Sequence, residues 1–326
     1  KPRGRCGLGP KADGRALPSR AVNLGAGVAR FAAPALWDTK MHNQIGFLLL
    51  APVLILVLAL YAYPIFDLAR TSFFIIRGGA EQFVGLANYH RVLASDLFKQ
   101  SLFNSLAWTG LSLLVQLTIP LLLALLLNQK FWGNTLARVL MLVPWITPTV
   151  VVAIMLRWLL EPNVGLVNHL LRRLGITTLG IDFLGSKQYA LPTLVLANAW
   201  QFLPFGTLLI LAGLQTVPRE IVEAAWVDGA GGWRRFRYIT FPLLGPVIGF
   251  VFFLAFVWNF NTLGIIWLTT QGGPLNTTLT LPVLIYRRAF RGFAMGEAAA
   301  MGALASLALV LFGIAYFKFF WKRAEK

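Results

Sequence analysis

The chain has 326 residues, of which 57% are hydrophobic and only 13% are charged, and its formal net charge at pH 7 is +17. A soluble domain has about 45–50% apolar and about 25% charged residues, so this composition excludes an ordinary soluble protein. Apolar stretches of about 20 residues, long enough to cross a bilayer core about 30 Å thick, recur along the chain and predict several membrane spans.

Residues 1–44 are predicted to form a basic, disordered tail. Eight of the first forty residues are Lys or Arg, and no apolar run there is long enough for a span or a signal peptide. No methionine precedes Met41, so one interpretation is that Met41 is the natural start of the protein. The single cysteine, Cys6, excludes an intramolecular disulfide.

Six apolar segments follow the tail, and they predict an all-α fold, a polytopic bundle of six transmembrane helices over residues 45–320. The segments are 45–66, 102–127, 139–160, 190–214, 243–268 and 297–320. Prolines lie inside the third and fourth segments, which a membrane helix tolerates when neighbouring helices or water satisfy the freed backbone groups. Residues 321–326 are left as a short C-terminal tail.

The distribution of basic residues predicts that both termini are cytoplasmic. Arg234, Arg235 and Arg237 lie in the short loop between the fourth and fifth segments, and the C-terminal tail is also basic. Basic residues in short loops favour the cytoplasmic side and contact anionic lipids. We therefore attribute the net charge to membrane topology and lipid contact, and expect no nucleic-acid partner. The outer loops would then be 67–101, 161–189 and 271–296.

The motifs of several function classes are missing from the sequence. No G-x-x-x-x-G-K-[ST] motif occurs, so the chain itself is not expected to bind a nucleotide. The acidic residues nearest to lipid, Glu161 and Glu297, lie at predicted interfaces, whereas an ion-coupled carrier usually places an ionisable group at depth. Neither a buried nucleophile nor a metal site is apparent, and we expect a non-catalytic protein without cofactors.

The loop 215–242, between the fourth and fifth segments, predicts a short helix on the cytoplasmic side. Pro218 suits the first turn of such a helix, and Glu220 and Glu223 lie near its positive end. Ala224 and Ala225 are small, so another surface can approach the helix backbone closely. From these residues alone, docking to a partner protein and lying among lipid headgroups are equally acceptable interpretations.

This loop resembles the EAA loop of binding-protein-dependent ABC importer permeases, EAA-x3-G-x9-I-x-LP. The sequence has Glu223-Ala224-Ala225, then Gly229, then Ile239 and Pro242 at the required spacing. Phe241 stands where the family usually has leucine, which keeps an apolar contact. Segments 83–89, 160–168, 272–274 and 280–282 resemble the sugar branch of this family, the membrane subunits of maltose, trehalose and glycerol-3-phosphate importers.

The resemblance implies the type I importer fold and a location in the bacterial cytoplasmic (inner) membrane. It implies a heterodimer with a second permease, two ATPase subunits that bind ATP and Mg²⁺, and an extracytoplasmic sugar-binding protein. The residues that it assigns to ATPase coupling are Glu223, Ala224, Ala225, Asp228, Gly229, Ile239 and Pro242.

Amide and aromatic side chains in the fourth and fifth segments predict a sugar pathway, because sugars are bound by hydrogen-bonding groups and aromatic faces. The candidates are Asn198, Gln201, Phe205, Trp258, Asn259 and Asn261, with Gln116 of the second segment as a weaker one. Related maltose permeases line their sugar site with helices at these positions. The alternative is that these amides only join helices, each bond contributing about 1 kcal/mol or less.

Three other functions were weighed against sugar import. One is a permease for glycerol-3-phosphate or another polyol-type solute, although the lack of buried charge favours a neutral, polyhydroxylated substrate. Another is a stand-alone secondary carrier, for which neither inverted halves nor a charged site at the membrane midplane is visible. The last is a scaffold or receptor that uses loop 215–242 only to bind a partner.

Overall fold

The computed structural model describes residues 39–324, with side chains from Leu49 to Phe320 except that of Arg77. The predicted tail therefore lies outside the described residues up to position 38, and the first helix begins at Thr39, inside the predicted tail. By their contacts, the residues up to Tyr63 form one unit and those from Pro64 onward another. The features discussed below belong to the second unit.

The described chain is mostly helical, with one pair of strands and two π-helical turns. The helices are α1 (Thr39–Thr71), α2 (Ala87–Ala94), α3 (Asp96–Leu127), α4 (Asn134–Met141), α5 (Val143–Ile146), α6 (Thr149–Leu159), α7 (Leu166–Arg173), α8 (Ala190–Gln215), α9 (Arg219–Val227), α10 (Gly232–Arg235), α11 (Phe241–Leu243), α12 (Gly245–Phe260), α13 (Gly264–Thr269), α14 (Leu281–Tyr286) and α15 (Met295–Ala324). The strands are β1 (Phe74–Arg77) and β2 (Ala80–Phe83), and the π-helical turns are Phe236–Thr240 and Arg287–Arg291.

Five segments of the described chain are long and apolar enough to cross a membrane. They are Leu49–Thr71, Asp96–Leu127, Ala190–Gln215, Gly245–Thr269 and Met295–Phe320. These five correspond to the first, second, fourth, fifth and sixth segments predicted from the sequence. The prediction of apolar helices of span length is confirmed for them.

The third predicted span, 139–160, is not a continuous helix. Its parts Asn134–Ile146 and Thr149–Leu159 are bent by 93° at the intervening break. Thr147 is extended, with φ −71° and ψ 121°, because the residue before a proline is forced out of the helical region, here by Pro148. The described chain thus has five candidate spans, or six if this bent pair crosses the membrane as one.

Helix α3 is central to the packing, since it contacts α8, α12 and α14. One buried cluster, around Leu113, Ile210 and Val251, joins α3 to α8 and α12. Small residues permit the close approach of helices on which packing in membranes depends. At Gly206 of α8, for example, an added Cβ would lie 3.2 Å from the Cβ of Pro120 in α3.

The predicted outer loop 67–101 contains a β-hairpin, so the all-α prediction has to be corrected at this point. Strands β1 and β2 pair antiparallel, with Arg77 opposite Ala80. Gly78 and Gly79 form the two-residue turn with φ of 57° and 84°, and such hairpin turns need positive φ at both positions. The strands on either side of this glycine pair were not predicted from the sequence.

Buried asparagines hold the connecting segments in place, and two of them belong to the family-like motifs. Asn88, in motif 83–89, donates to the carbonyl oxygens of Ser72 and Phe74 at 2.8 and 2.9 Å. Asn168, in motif 160–168, donates to the carbonyl oxygens of Glu161 and Ile181 and accepts from the Ile181 N–H at 2.8 Å. These two asparagines therefore stabilise the loops in which the motifs lie.

Glu161 closes the same loop through its carboxylate. The Val164 N–H donates to it at 2.6 Å and the Asn163 N–H at 2.7 Å. These hydrogen bonds, that of Val164 above all, lower the pKa of Glu161, because they favour its charged form.

Replacing the buried Asn168 should destabilise the protein. Asn168→Ala leaves the carbonyl and N–H of Ile181 without partners, at a cost of about 1–3 kcal/mol, and should lower the midpoint of thermal unfolding of the purified protein. Asn163→Ala is the matched control, since this side chain is exposed and its amide donates only to Glu161. Equal midpoints for the two variants would contradict the structural role of Asn168.

Candidate functional site

Helix α9 carries the first part of the EAA-like motif and ends in a glycine C-cap. The Ala230 N–H donates to the Ala225 carbonyl at 2.9 Å, and the Gly229 N–H donates to that of Trp226 at 3.1 Å. Gly229 has φ +76°, so this pair of bonds is a Schellman motif with glycine in the left-handed position. The spacing from Ala225 to Gly229 therefore has a structural reason, since it ends the helix sharply at Asp228.

The surface of α9 is open, because none of its side chains is buried. Ala224 is exposed, as are the larger apolar side chains of Ile221, Trp226 and Val227. Glu223 instead lines a groove of about 370 Å³, whose other lining residues are Asn128, Leu214, Gln215, Val217, Arg219, Val222 and Thr240. The motif thus exposes Ala224 and Glu223 and leaves Ala225 half-buried.

The last part of the motif leads from α9 into α12. Ile239 is half-buried in the π-helical turn, and Pro242 lies exposed in α11. The rings of Phe236 and Phe241 pack at a centroid distance of 5.8 Å. The coupling residues predicted from the sequence therefore lie on one connected segment, between the end of α8 and the start of α12.

A cavity of about 420 Å³ lies between the bent pair, α3, α8 and α12. It brings together four of the six predicted pathway residues, Asn198, Gln201, Trp258 and Asn259, as well as Gln116. Its other lining residues are Trp145, Ile146, Thr147, Pro148, Thr149, Phe202 and Thr262. None of these side chains is ionisable in the physiological range, so the cavity is polar and uncharged.

The break between α5 and α6 forms one wall of this cavity. The extended backbone at Thr147 leaves its carbonyl oxygen outside the helical pattern, and Gln201 Nε2 donates to this oxygen at 3.2 Å. Irregular backbone at membrane depth is tolerated where it is buried in protein or lines a polar cavity. Sequence analysis noted Pro148 but missed the contribution of Thr147, Pro148 and Thr149 to the wall.

A network of amides lies at the base of the cavity. Asn259, which is 3% exposed, donates from Nδ2 to Gln116 Oε1 and to the Ala255 carbonyl, both at 2.7 Å. Asn198 Nδ2 donates to Asn259 Oδ1 at 2.6 Å. The backbone carbonyl oxygen of Asn259 accepts a hydrogen bond from Trp108 Nε1 at 3.1 Å. Asn259 therefore connects α3, α8 and α12, and both ends of its side-chain amide have protein partners.

Aromatic rings flank the amides. Trp258 lies with its ring centroid 4.9 Å from that of Phe205 and 5.8 Å from that of Phe202. Trp145, which the sequence analysis did not single out, packs 6.2 Å from Phe205 on the other side. Phe205 therefore supports the two tryptophans and is not itself among the lining residues. Trp145 and Trp258 each remain about half exposed, so their faces are open to a ligand.

Asn261 is separated from this group. It follows the last residue of α12, is exposed, and donates to the Val257 carbonyl of its own helix. It lines a different groove, with residues that include Leu68, Tyr286 and Gly302. Its assignment to the pathway remains a prediction that this cavity does not support.

Among the described residues, no group of three or more His, Cys, Asp or Glu side chains could hold a metal ion. The carboxylate of Glu297, at the start of α15, instead lies beside two arginines. Arg91 Nη1 is 3.3 Å from Oε1 and Arg288 Nη1 is 3.6 Å from Oε2. This cluster lies away from the amide cavity and has a structural explanation, since it joins α2 and α15.

Comparison with known proteins agrees with these features. The family described as "Binding-protein-dependent transport system inner membrane component" matches residues 116–326. The trehalose/maltose transport system permease protein of Thermococcus litoralis is 34% identical over 283 residues, covering 84% of this chain and 93% of that protein. The sn-glycerol-3-phosphate transport system permease protein of Yersinia pestis is 31% identical over 243 residues, covering 74% and 81%.

The fold is also similar to that of a solved transporter. A chain of the bacterial alginate ABC transporter, in complex with an alginate pentasaccharide-bound periplasmic protein, aligns with a TM-score of 0.72 and 25% identity. The alignment covers 85% of this chain and 95% of that one. The resemblance inferred from the loop and the shorter motifs is thereby confirmed.

Substituting Gly229 should loosen the end of α9. An alanine at φ +76° is strained by about 1 kcal/mol, so Gly229→Ala should speed amide hydrogen exchange in residues 219–230 about fivefold. Gly231→Ala is the matched control, because Gly231 has φ −62° and at neither site would the added Cβ meet another atom within 4 Å. Gly229→Asn should restore slow exchange, as asparagine tolerates this conformation. Equal exchange in the two alanine variants would contradict the C-cap.

Proposed function

The chain belongs to the family of binding-protein-dependent transport system inner membrane components, and we propose that it is the permease subunit of an ABC importer for a neutral sugar. The observation that carries this proposal is the uncharged cavity of amides and tryptophans between α3, α8, α12 and the bent pair. Sugars require hydrogen-bonding groups for their hydroxyls and flat apolar faces for their C–H surfaces. The cavity offers both.

The open surface of α9 supports coupling to separate ATPase subunits. An exposed helix with the small side chain of Ala224 at its surface fits the docking of a partner protein, and the sequence contains no phosphate-binding loop of its own. In this proposal two ATPase subunits bind ATP and Mg²⁺, while the chain itself is non-catalytic and carries no cofactor. A second permease completes the pathway, and an extracytoplasmic binding protein delivers the sugar.

The coupling segment, residues 216–244 between α8 and α12, explains by its position how ATPase movement would reach the sugar. Helix α8, with Asn198 and Gln201, ends at Gln215, and α12, with Trp258 and Asn259, begins at Gly245. The coupling segment is the only stretch of chain between them. Movement of α9 is therefore transmitted along both helices that hold the amides, and would open the cavity to one side of the membrane or the other.

For the membrane topology we propose six spans in the bacterial inner membrane, with both termini cytoplasmic. In this topology the bent pair Asn134–Ile146 and Thr149–Leu159 counts as one span. The support is the basic loop 215–242, since Arg234, Arg235 and Arg237 favour the cytoplasmic side. This side is also where ATPase subunits would bind α9.

A glycerol-3-phosphate permease is the alternative that the Yersinia relative suggests. A phosphate ester carries negative charge and is usually bound by Arg, Lys or helix N-termini. The cavity contains no basic residue, so this alternative is less well supported than a neutral sugar. A secondary carrier is disfavoured for a similar reason, because the cavity lacks the ionisable group that ion coupling uses.

Uptake by the reconstituted transporter tests the proposed substrate class. Proteoliposomes containing the complete transporter should import a neutral probe among maltose, trehalose, glucose and glycerol when ATP is supplied, in preference to glycerol-3-phosphate. Asn198→Ala should lower this uptake roughly ten- to a hundredfold, because a lost hydrogen bond leaves a sugar hydroxyl unpaired at about 1–3 kcal/mol. Asn163→Ala removes the same amide in an exposed loop outside the cavity and serves as control. Preferential import of glycerol-3-phosphate would refute the proposal.

Charge reversal in the EAA-like motif tests the coupling. Glu223→Lys should abolish sugar-stimulated ATP hydrolysis while the protein remains inserted, because a cation replaces a carboxylate beside the proposed docking surface. Asp96→Lys makes the same change at the first residue of α3, where the carboxylate is exposed and forms only a surface pair with Lys99 at 3.4 Å. The Asp96→Lys permease should copurify with its ATPase subunits. Undiminished stimulated hydrolysis in Glu223→Lys would exclude this surface.

A further inference from the structure

The amide network around Asn259 begins at a backbone carbonyl, and this fixes the orientation of the Asn259 side chain. Nδ2 of Asn259 lies 2.7 Å from the carbonyl oxygen of Ala255, one helical turn earlier. A carbonyl oxygen can only accept a hydrogen bond, so the amide atom facing it has to be nitrogen. Turning the amide over would bring two oxygens together, and the network therefore decides the assignment.

The orientation of Asn259 in turn fixes that of Asn198. Oδ1 of Asn259 lies 2.6 Å from an amide atom of Asn198, and that atom has to be the nitrogen, because a second oxygen would be repelled. Oδ1 of Asn198 is thereby turned away from the network. It has no hydrogen-bond partner among the described residues, and it is not one of the enclosed polar atoms. Since Asn198 lines the cavity and is only half-buried, this oxygen is accessible.

Gln201 is fixed in the same way from the other side. Its Nε2 donates to the carbonyl oxygen of Thr147 at 3.2 Å, at the break between α5 and α6. That oxygen can again only accept, so Oε1 of Gln201 is the free end of the amide, and it too is not an enclosed atom. Asn198 and Gln201 are three residues apart in α8 and therefore share one face of the helix.

We infer that Asn259 is a positioning residue that turns the side-chain oxygen Oδ1 of Asn198 into the cavity. Oδ1 of Asn198 and Oε1 of Gln201 then accept hydrogen bonds that substrate hydroxyls donate. The inference rests on the proposed function, since it assigns the polarity of the same cavity. Hydroxyl groups can donate to two fixed carbonyl oxygens. Carboxylates and phosphates are acceptors when ionised, so the same oxygens repel them and select neutral sugars.

Fluorinated sugars test this polarity, because fluorine replaces a hydroxyl without the ability to donate. The parent sugar is the neutral probe that wild-type proteoliposomes import fastest. Each of its hydroxyls is replaced in turn by fluorine and by hydrogen, and uptake of every analogue is compared with that of the parent. At the hydroxyl that donates to Asn198, the fluorinated analogue should be imported about five- to tenfold more slowly than the parent, and no faster than the deoxy analogue.

The substitutions then identify the residues responsible. In Asn198→Ala the ratio of parent to fluorinated uptake at this hydroxyl should fall to about one. Asn259→Leu, which keeps the volume but releases the Asn198 amide, should lower the same ratio, whereas Asn163→Ala, which removes an exposed loop amide outside the cavity, should keep the wild-type value. Because both sugars are measured on one preparation, the ratio does not depend on how much transporter assembles. If Asn259→Leu fails to assemble, the ratio for Asn198→Ala decides.

Two results would overturn the inference. One is a wild type that imports the fluorinated analogue faster than the deoxy analogue at every position, which means that the protein donates to the sugar. The other is an unchanged ratio in Asn198→Ala. Both are distinguishable from failure of the proposed function, because the wild-type transporter imports the parent sugar in either case.

Discussion

The hydrogen bonds of Asn259 are the interaction on which the arrangement of the central helices depends. In a membrane, apolar surfaces gain little from contacting each other instead of lipid, so polar contacts and close packing fix how helices are placed. Asn259 reaches Gln116 of α3, Asn198 of α8 and the backbone of its own helix, and it accepts from Trp108. A single buried amide thus sets the relative positions of three helices, and with them the base of the cavity.

The break at Pro148 leaves a backbone carbonyl oxygen free for a side chain, which the interior of a regular helix cannot do. A continuous helix uses all its carbonyl groups internally, whereas the extended Thr147 leaves one carbonyl oxygen for Gln201. The bend also brings Trp145 beside Phe205 and so adds an aromatic face to the cavity. Because this irregular backbone lies against a polar cavity rather than against lipid, its cost is small.

The EAA-like motif lies on the piece of chain that connects α8 and α12, the two helices that carry Asn198 and Asn259. Helix α9 is ended sharply by the Schellman motif at Gly229, and the π-helical turn and α11 then lead into α12. In the proposed mechanism, displacement of α9 would be passed along this segment to α8 and α12. The same motif residues that were recognised from their spacing therefore have a local structural explanation, in the helix end that they create.

The sequence by itself determined the membrane character, five of the spans and the end of α9, because these depend on apolar length and on local spacing. Composition fixes whether a helix can enter lipid, and a glycine four residues after Ala225 fixes where α9 ends. It also identified Asn198, Gln201, Trp258 and Asn259, since amides and tryptophans are conspicuous in apolar spans. What each of them does was decided by tertiary structure alone.

Whether an amide joins helices or faces a cavity depends on which groups neighbouring helices bring within about 3 Å, and this is invisible in a single sequence. Asn259 and Asn261 are two residues apart, yet one is sealed in the network and the other lies exposed at a helix end. The bend at Pro148 and the hairpin 74–83 were missed for another reason, because their signals are local. Pro148 forces Thr147 out of the helical region and Gly78-Gly79 forms a tight turn, but neither signal was extended to the backbone on either side of it.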